Sequence, residues 1–377
     1  MKKTTLAMAI FAGFALGSNT VSADINLSGF GQIVGGTVSG DADELYGYDS
    51  DLSFTPESLF GLQINASVSD RLTATAQLVG RGDQDFDPDF AWAYLTYRFN
   101  DQWDVRAGRI RIPFYKYSDF LDVGYAYHWT RTPSPVYQTI TFSELDGVNF
   151  SHSAFIGDWF SRFQLLFGRF EGEVSIGGEM SPTDLSNVVG GAWELSYEWF
   201  NARLAYFQTD TTIDVAAVNP LLDTLRSAGF PDVASDIAFD GDTGSFWGVA
   251  LEGDWGDYFV SAEVVNRKVR NSLLNDVDGW YIGGGTRLDD WTFHGTVGRW
   301  DASAQLGALD GLPADHPLFP VVSDLLASQA SKYDYISLGA RWDFARNTAM
   351  KFEYERRDYD FGGEDANVFS AGVVFTF

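Results

Sequence analysis

The side chains in this sequence that could act on a passing solute are arginines set around Gly108. Asp104 and Arg106 alternate with Val105 and Ala107, whereas after Gly108 the apolar phase reverses and Arg109 and Arg111 alternate with Ile110 and Ile112. One extra residue in a β-strand exchanges its two faces. A bulge near Gly108 is therefore expected to turn Arg106, Arg109 and Arg111 to the same, watery side. Arg98 and Arg81, on the two preceding alternating segments, would join them in a basic wall patch. Directly afterwards, residues 113–146 do not alternate and carry Phe114, Tyr115, Tyr117, Phe120, Tyr125, Tyr127, Trp129 and Tyr137. A stretch that long without regular structure needs a separate reason to exist. Aromatic faces can guide ring-bearing solutes, but a loop packed among other side chains must also anchor itself, and anchoring is the expected role for most of these rings.

Catalysis has little to work with. A covalent mechanism needs a nucleophile, a base and an orienting group within reach of one another. The chain has four His: His128 and His316 fall in loops, His152 on an outward parity and His294 on an inward one, and no triad spacing stands out. The chain has no Cys, which excludes disulfides, thiol nucleophiles and Cys-ligated metals. Asp83, Asp85, Asp87 and Asp89, and the pair Asp240 and Asp242, gather oxygens. They lack the Gly turn and terminal Glu of a calcium loop and read as solvated charge. No cofactor, no metal and no enzymatic activity are expected, and an outer-membrane lipid or ester hydrolase stands only as a rival reading, beside a plugged adhesin barrel.

The elements that must position the arginines are short alternating strands. Phe60, Leu62, Ile64, Ala66 and Val68 alternate with Gly61, Gln63, Asn65 and Ser67, and the second set is too polar for a core. The unit recurs to give sixteen predicted strands, each about as long as a tilted crossing of the hydrocarbon requires. Short turns, among them Ser69-Asp70, Asn100-Asp101, Gly157-Asp158, Phe200-Asn201 and Asp289-Asp290, alternate with long segments around 39–58, 113–146, 172–187, 213–244 and 303–332. Trp103, Trp159, Trp199, Trp255 and Trp291 all lie near short turns, as interfacial rings do. Helical patterns occur inside two long loops, at 220–228 and 317–330. The fold class is all-β: a transmembrane 16-stranded antiparallel barrel with its third outer loop folded inward.

The ends and the charge agree. Lys2 and Lys3, an apolar run from Leu6 to Leu16 and Val21-Ser22-Ala23 form a secretory-signal pattern over 1–23, leaving a single barrel domain over 24–377. A net charge of −27 argues against nucleic-acid partners. Acidic outer loops and an alternating wall instead suit outer-membrane lipid and lipopolysaccharide.

At the C-terminus Phe369, Ala371, Val373, Phe375 and Phe377 alternate with Ser370, Gly372, Val374 and Thr376, and the chain stops on Phe. With its strand count and loop order, this resembles the Gram-negative outer-membrane porins. The resemblance implies a homotrimer in the outer membrane, recognition of Phe377 by the barrel-assembly machinery, and passive diffusion of small hydrophilic solutes. It also implies that the third outer loop, 113–146, sets acids opposite a basic wall. Asp119 and Asp122 would then face Arg81, Arg98, Arg106, Arg109 and Arg111 across a constriction, with Tyr115, Tyr117, Phe120, Tyr125, Tyr127 and Trp129 as the loop's aromatics. Opposed charges across a narrow, low-dielectric gap orient dipolar solutes and filter ions. The string at 108–114 is also similar to the same place in phosphate-selective porins, which leaves an anion-selective or sugar-selective channel as the alternative; the scarcity of Lys argues against a lysine-rich phosphate path.

Overall fold

A computed structural model describes residues 24–176, 179–270 and 272–377, so the expected leader at 1–23 lies outside the described residues. The first eight strands are β1 (Asp24–Gly40), β2 (Leu59–Ser69), β3 (Leu72–Arg81), β4 (Pro88–Arg98), β5 (Trp103–Arg111), β6 (Glu144–Ile156), β7 (Trp159–Ile176) and β8 (Glu179–Tyr197). The second eight are β9 (Phe200–Ile213), β10 (Asp240–Asp254), β11 (Tyr258–Val269), β12 (Asp276–Leu288), β13 (Trp291–Ser303), β14 (Ser331–Ala345), β15 (Thr348–Phe361) and β16 (Ala366–Thr376). Each pairs antiparallel with the next, and β1 pairs with β16 to close the barrel. Closure leaves no edge strand, so every ladder can be satisfied within the wall.

The two faces follow the alternation. On β14, Ile336 and Leu338 are exposed while Tyr335 and Ser337 are buried; on β9, Leu204 and Tyr206 are exposed while Arg203, Ala205 and Phe207 are buried. Apolar side chains thus point out and a mixed polar set points in, the reverse of a water-soluble barrel and the pattern of one surrounded by lipid. Rings at the short-turn end stack across neighbouring strands, Trp199 on Trp255 at 5.1 Å and Trp291 on Trp342 at 5.5 Å between centroids.

Three expectations are corrected. The bulge near Gly108 does not form: β5 keeps an unbroken register with β4 and with β6 through Gly108. The register shift lies one strand earlier, where Gln77 faces Trp92 and Leu78 faces Phe90, so Ala91 is the extra residue. Second, 172–176 and 179–186, expected as parts of a loop, belong to long paired strands, since β7 and β8 run to 18 and 19 residues. That exceeds the roughly 9–11 residues a crossing needs, so the pair projects beyond the apolar band. Third, the turn after β8 is Glu198-Trp199 rather than Phe200-Asn201, with Glu198 in the left-handed region at φ 43°.

Among the described residues four α-helices lie between strands, besides short 3-10 turns: α1 (Ser134–Tyr137), α2 (Asn219–Ser227), α3 (Pro231–Ile237) and α4 (Phe319–Ala327). The last three form a cap over part of the long-loop end, packing Leu222, Leu225, Val233, Ile237, Val322 and Leu326 into one apolar cluster with Val174 and Ile213 from the wall. The helical patterns of the two long loops correspond to α2 and α4; α3 was not anticipated, because its seven residues carry less than two turns of periodicity.

Candidate functional site: the loop inside the barrel

Residues 112–143 leave β5 and return to β6 with their side chains bonded to inward-facing residues of distant strands. Lys116 Nζ lies 3.1 Å from Glu252 and 3.5 Å from Glu194, and donates to Asn201 at 2.5 Å. The Lys116 backbone N–H and the Tyr137 hydroxyl donate to the two oxygens of Glu263, at 3.0 and 2.9 Å. Trp129 Nε1 donates to Thr296 at 2.9 Å. From the wall, Arg341 donates to the carbonyls of Tyr125 and Tyr127 at 2.8 and 3.0 Å, and Lys351 to those of Gly124 and Trp129 at 2.5 Å. Arg203 donates to the carbonyl of Pro113 at 2.5 Å. An irregular backbone at membrane depth is tolerated only when its polar groups find partners inside the protein, and these wall side chains supply them.

Most of the ionic anchoring lies toward β14 to β16. Arg131 makes a bidentate pair with Glu57, at 2.7 and 2.6 Å, and reaches Glu355 at 3.1 Å and Glu353 at 3.8 Å. Its guanidinium also lies over the Tyr46 ring at 4.5 Å, and the Thr130 N–H donates to Glu353 at 3.0 Å. Arg357 joins Glu355 at 3.2 Å and hydrogen-bonds Tyr46. The carboxylates of Glu353 and Glu355 are fully covered. Bidentate arginine geometry compensates such burial better than a point charge would.

The predicted site residues separate into groups. Arg81 and Arg111 converge on one carboxylate: Asp122 accepts from Arg81 at 2.9 Å and from Arg111 at 2.6 Å, and Arg111 also donates to the carbonyl of Ser118 at 3.2 Å. Burial acts to raise the Asp122 carboxyl, but Arg111 and then Arg81 outweigh it and hold it below the usual carboxylate range. Arg111 lies just beyond the last β4–β5 rung, Ala93 opposite Arg109, and its guanidinium is stacked on Trp92 at 4.8 Å. Arg106 is inward, over the Tyr94 ring at 5.6 Å and 3.9 Å from Asp104. Arg98 is exposed beside the turn after β4.

Arg109 is not part of this group. With the register unbroken, it lies opposite exposed Ala93 and Asp146 on the outward face, pairing Asp146 at 3.5 Å, while Ile110 points in and is buried. The phase reversal after Gly108 arises because Ile110 and Ile112 pack against the loop inside the barrel, together with Phe114, Leu145 and Leu166.

The aromatics divide in the same way. Tyr115 is buried, with its hydroxyl 2.8 Å from Thr139; Tyr117 and Tyr127 pack around Trp129, which is fully buried and meets Tyr281 edge-on at 5.7 Å. Tyr125 lies under Arg341 at 4.5 Å. Phe120 differs, at 51% exposed, and its neighbour Asp119 is half-buried with no cation within 4.0 Å among the described residues. Sequence reasoning overlooked Lys116, Arg131 and Lys351. The signal was present in the inward parity of Lys351, Glu353, Glu355 and Arg357 on β15, which asks for a basic partner from outside the wall.

The family model for Gram-negative porins matches residues 4–362. No curated protein is significantly similar to the chain in sequence. Among solved structures, the outer-membrane channel DcaP of Acinetobacter baumannii is similar with a TM-score of 0.64 at 14% identity, covering 95% of this chain and 99% of that one. OmpT of Vibrio cholerae, folded in vitro and solved in a trimer form, gives 0.59 at 14%, covering 94% and 99%. An anion-selective porin from Comamonas acidovorans gives 0.57 at 15%, covering 94% and 100%. At these identities the likeness is one of fold, and the family match covers nearly the whole chain. The family match over a closed barrel supports an outer-membrane channel, and the chain belongs to the Gram-negative porins of the outer membrane.

Proposed function

We propose that the loop at 113–146 is a constriction and that small hydrophilic solutes and ions diffuse passively between its segment 116–122 and the wall of β3 to β8. One contrast carries this reading: toward β14 to β16 the loop's ion pairs to the wall are all buried, whereas on the other side, beside the buried pair of Arg111 and Asp122, the residues Asp119, Phe120, Arg81 and Arg106 keep exposed surface. Arg81 and Arg111 share the single carboxylate of Asp122, an excess of one positive charge within that cluster; with Asp119 on the same segment counted the four charges balance, so the mild anion preference proposed rests on the cluster alone. Exposed outer-loop acids farther off than the Debye length, about 8 Å at physiological salt, are largely screened, whereas Asp83, two residues from Arg81, stays coupled to it.

The mature chain begins at Asp24 after export, forms one barrel domain, and assembles as a homotrimer in the manner of the Vibrio cholerae protein. Its last residue, Phe377, exchanges both backbone hydrogen bonds with Gly29 at the closing seam, at 2.9 Å each, which suits a terminus read during barrel assembly. Lipopolysaccharide surrounds the outer rim.

Planar-bilayer recording under a salt gradient tests the reading. The native protein should insert with three equal conductance steps and a zero-current potential of anion-selective sign. Arg111→Ala should move that potential toward cations, and Arg109→Ala should not. Equal effects of the two substitutions would reject the assignment of the narrows.

A further inference from the structure

We propose that the outer half of the barrel holds a binding site for a small aromatic carboxylate, with the ring in an apolar cavity beneath the helical cap and the carboxylate on Arg267. The cavity lies above the inward loop and is walled by Phe114, Ile140, Phe142, Leu185, Phe207 and Phe246. Its volume of about 100 Å³ is of the order of the ~150 Å³ apolar cavity known to take up benzene, so a single ring or a short alkyl chain is the size class it admits.

Arg267 supplies the second, independent observation. It stands on the cavity wall, and Nη2 donates to the backbone carbonyl and to Oδ1 of Asn275, at 2.9 and 2.5 Å. Its Nε is buried without a hydrogen-bond partner, and no carboxylate oxygen lies within 4.0 Å of its guanidinium among the described residues. Four more deeply buried arginines, Arg111, Arg131, Arg203 and Arg357, each have a carboxylate within that distance; Arg111 and Arg203 share the unpartnered Nε, so it is the missing carboxylate that sets half-buried Arg267 apart from them. In a chain of net charge −27 acids are not scarce, yet Arg267, which alone of the wall arginines without a carboxylate partner lines this apolar cavity, is left without one among the described residues. A guanidinium beside apolar surface is costly until an anion compensates it, and an apolar cavity gains nothing from a fully hydrated ion. A ligand with an aromatic body and one anionic end meets both conditions.

This goes beyond the channel reading, because ion flow needs no ligand in the cavity. The native protein in lipid nanodiscs would be titrated calorimetrically with 4-phenylbutyrate, with its neutral amide and with succinate, empty discs serving as the blank. One phenylbutyrate per chain is expected, bound at least tenfold more tightly than the amide or succinate. Arg267→Gln should weaken phenylbutyrate at least tenfold and leave the amide unchanged, and Ile140→Trp, which fills the cavity, should abolish binding of both. Equal affinity for acid and amide, or no binding by the native protein, overturns the proposal without requiring any variant to fold. Bilayer recordings on the same preparations report the channel separately.

Discussion

Two sides of the same loop are held by opposite arrangements of charge. Toward β14 to β16, a loop cation, Arg131, is inserted among wall and neighbouring carboxylates, and Glu353 and Glu355 have no exposed side-chain surface. Toward β3 to β5, a loop acid, Asp122, is received by two wall arginines, of which Arg111 is buried and Arg81 stays partly open at 25% side-chain exposure. Buried charges cost several kcal/mol each unless every partner is present, so the first side is cooperative and intolerant of change. The second side has one buried pair, Arg111 with Asp122, and partly exposed charges in Arg81 and Arg106, which are screened and separable. The first is an anchor, and the second is the side proposed to meet solutes.

Breaking the anchor should have the largest effect. Arg131→Met leaves Glu57 and Glu353 without their cation and Glu355 with Arg357 alone, a loss of the order of 3–5 kcal/mol for a broken buried pair. The loop should be released from that wall, read as a larger, noisier single-channel current and new protease cleavage between 113 and 146. Unchanged current and protection would mean that the hydrophobic packing around Trp129 holds the loop without the ion pairs.

Arg111→Ala comes next. Asp122 keeps Arg81, so the expected loss is about 1–3 kcal/mol for an unpaired buried polar group, together with the cationward shift in zero-current potential already described.

Acid should strain the two sides in sequence. His128 is held well below the usual imidazole value, first by burial and then by the nearby charges of His294 and Lys351. A folded value depressed in this way favours the neutral ring; its stabilisation is complete above about pH 6.5 and is lost as the pH falls below that toward the folded value. Asp122 is also depressed, so its contribution is complete above about pH 4 and is lost only as the pH falls through its lower folded value. Acidification from pH 7 to 5 should therefore loosen the His128 segment, seen as rising current noise, while anion preference set at Asp122 persists. Simultaneous loss of both would contradict the separation.

The smallest effects should come from residues outside both groups. Arg106→Gln, which removes a half-exposed partner 3.9 Å from Asp104, should alter stability by about 0.5 kcal/mol or less and selectivity slightly. Arg109→Ala should leave conductance and selectivity as they were, because the side chain points away from the lumen.

The contrast between Arg109 and Arg111 also marks the limit of what the sequence could say. Strand alternation is a local signal, so the sixteen strands, most of their turns and the long segment after β5 were legible from side-chain period alone, while the turn after β8 and the long β7–β8 pairing were not. Which face was inward on β5 was not, because Ile110 and Ile112 are apolar for contact with the inward loop, not with lipid. A pattern argument assigns every apolar residue of such a wall to the outside, and a lumen filled by its own loop breaks that assumption. Arg131 was missed for a related reason: its carboxylate partners are more than 70 residues away in each direction of the chain, Glu57 before it and Glu353 and Glu355 after it, and no local period reports such a meeting.

The most direct test of the constriction uses the absence of cysteine from the chain, which makes one introduced thiol uniquely addressable. Phe120→Cys would be recorded in a planar bilayer while a cationic methanethiosulfonate reagent is added. Stepwise loss of current, one step per subunit, is the predicted result, since Phe120 is the exposed ring of the segment proposed to face the path. Full modification by mass spectrometry with undiminished current would contradict the claim that solutes pass between this segment and the β3 to β8 wall.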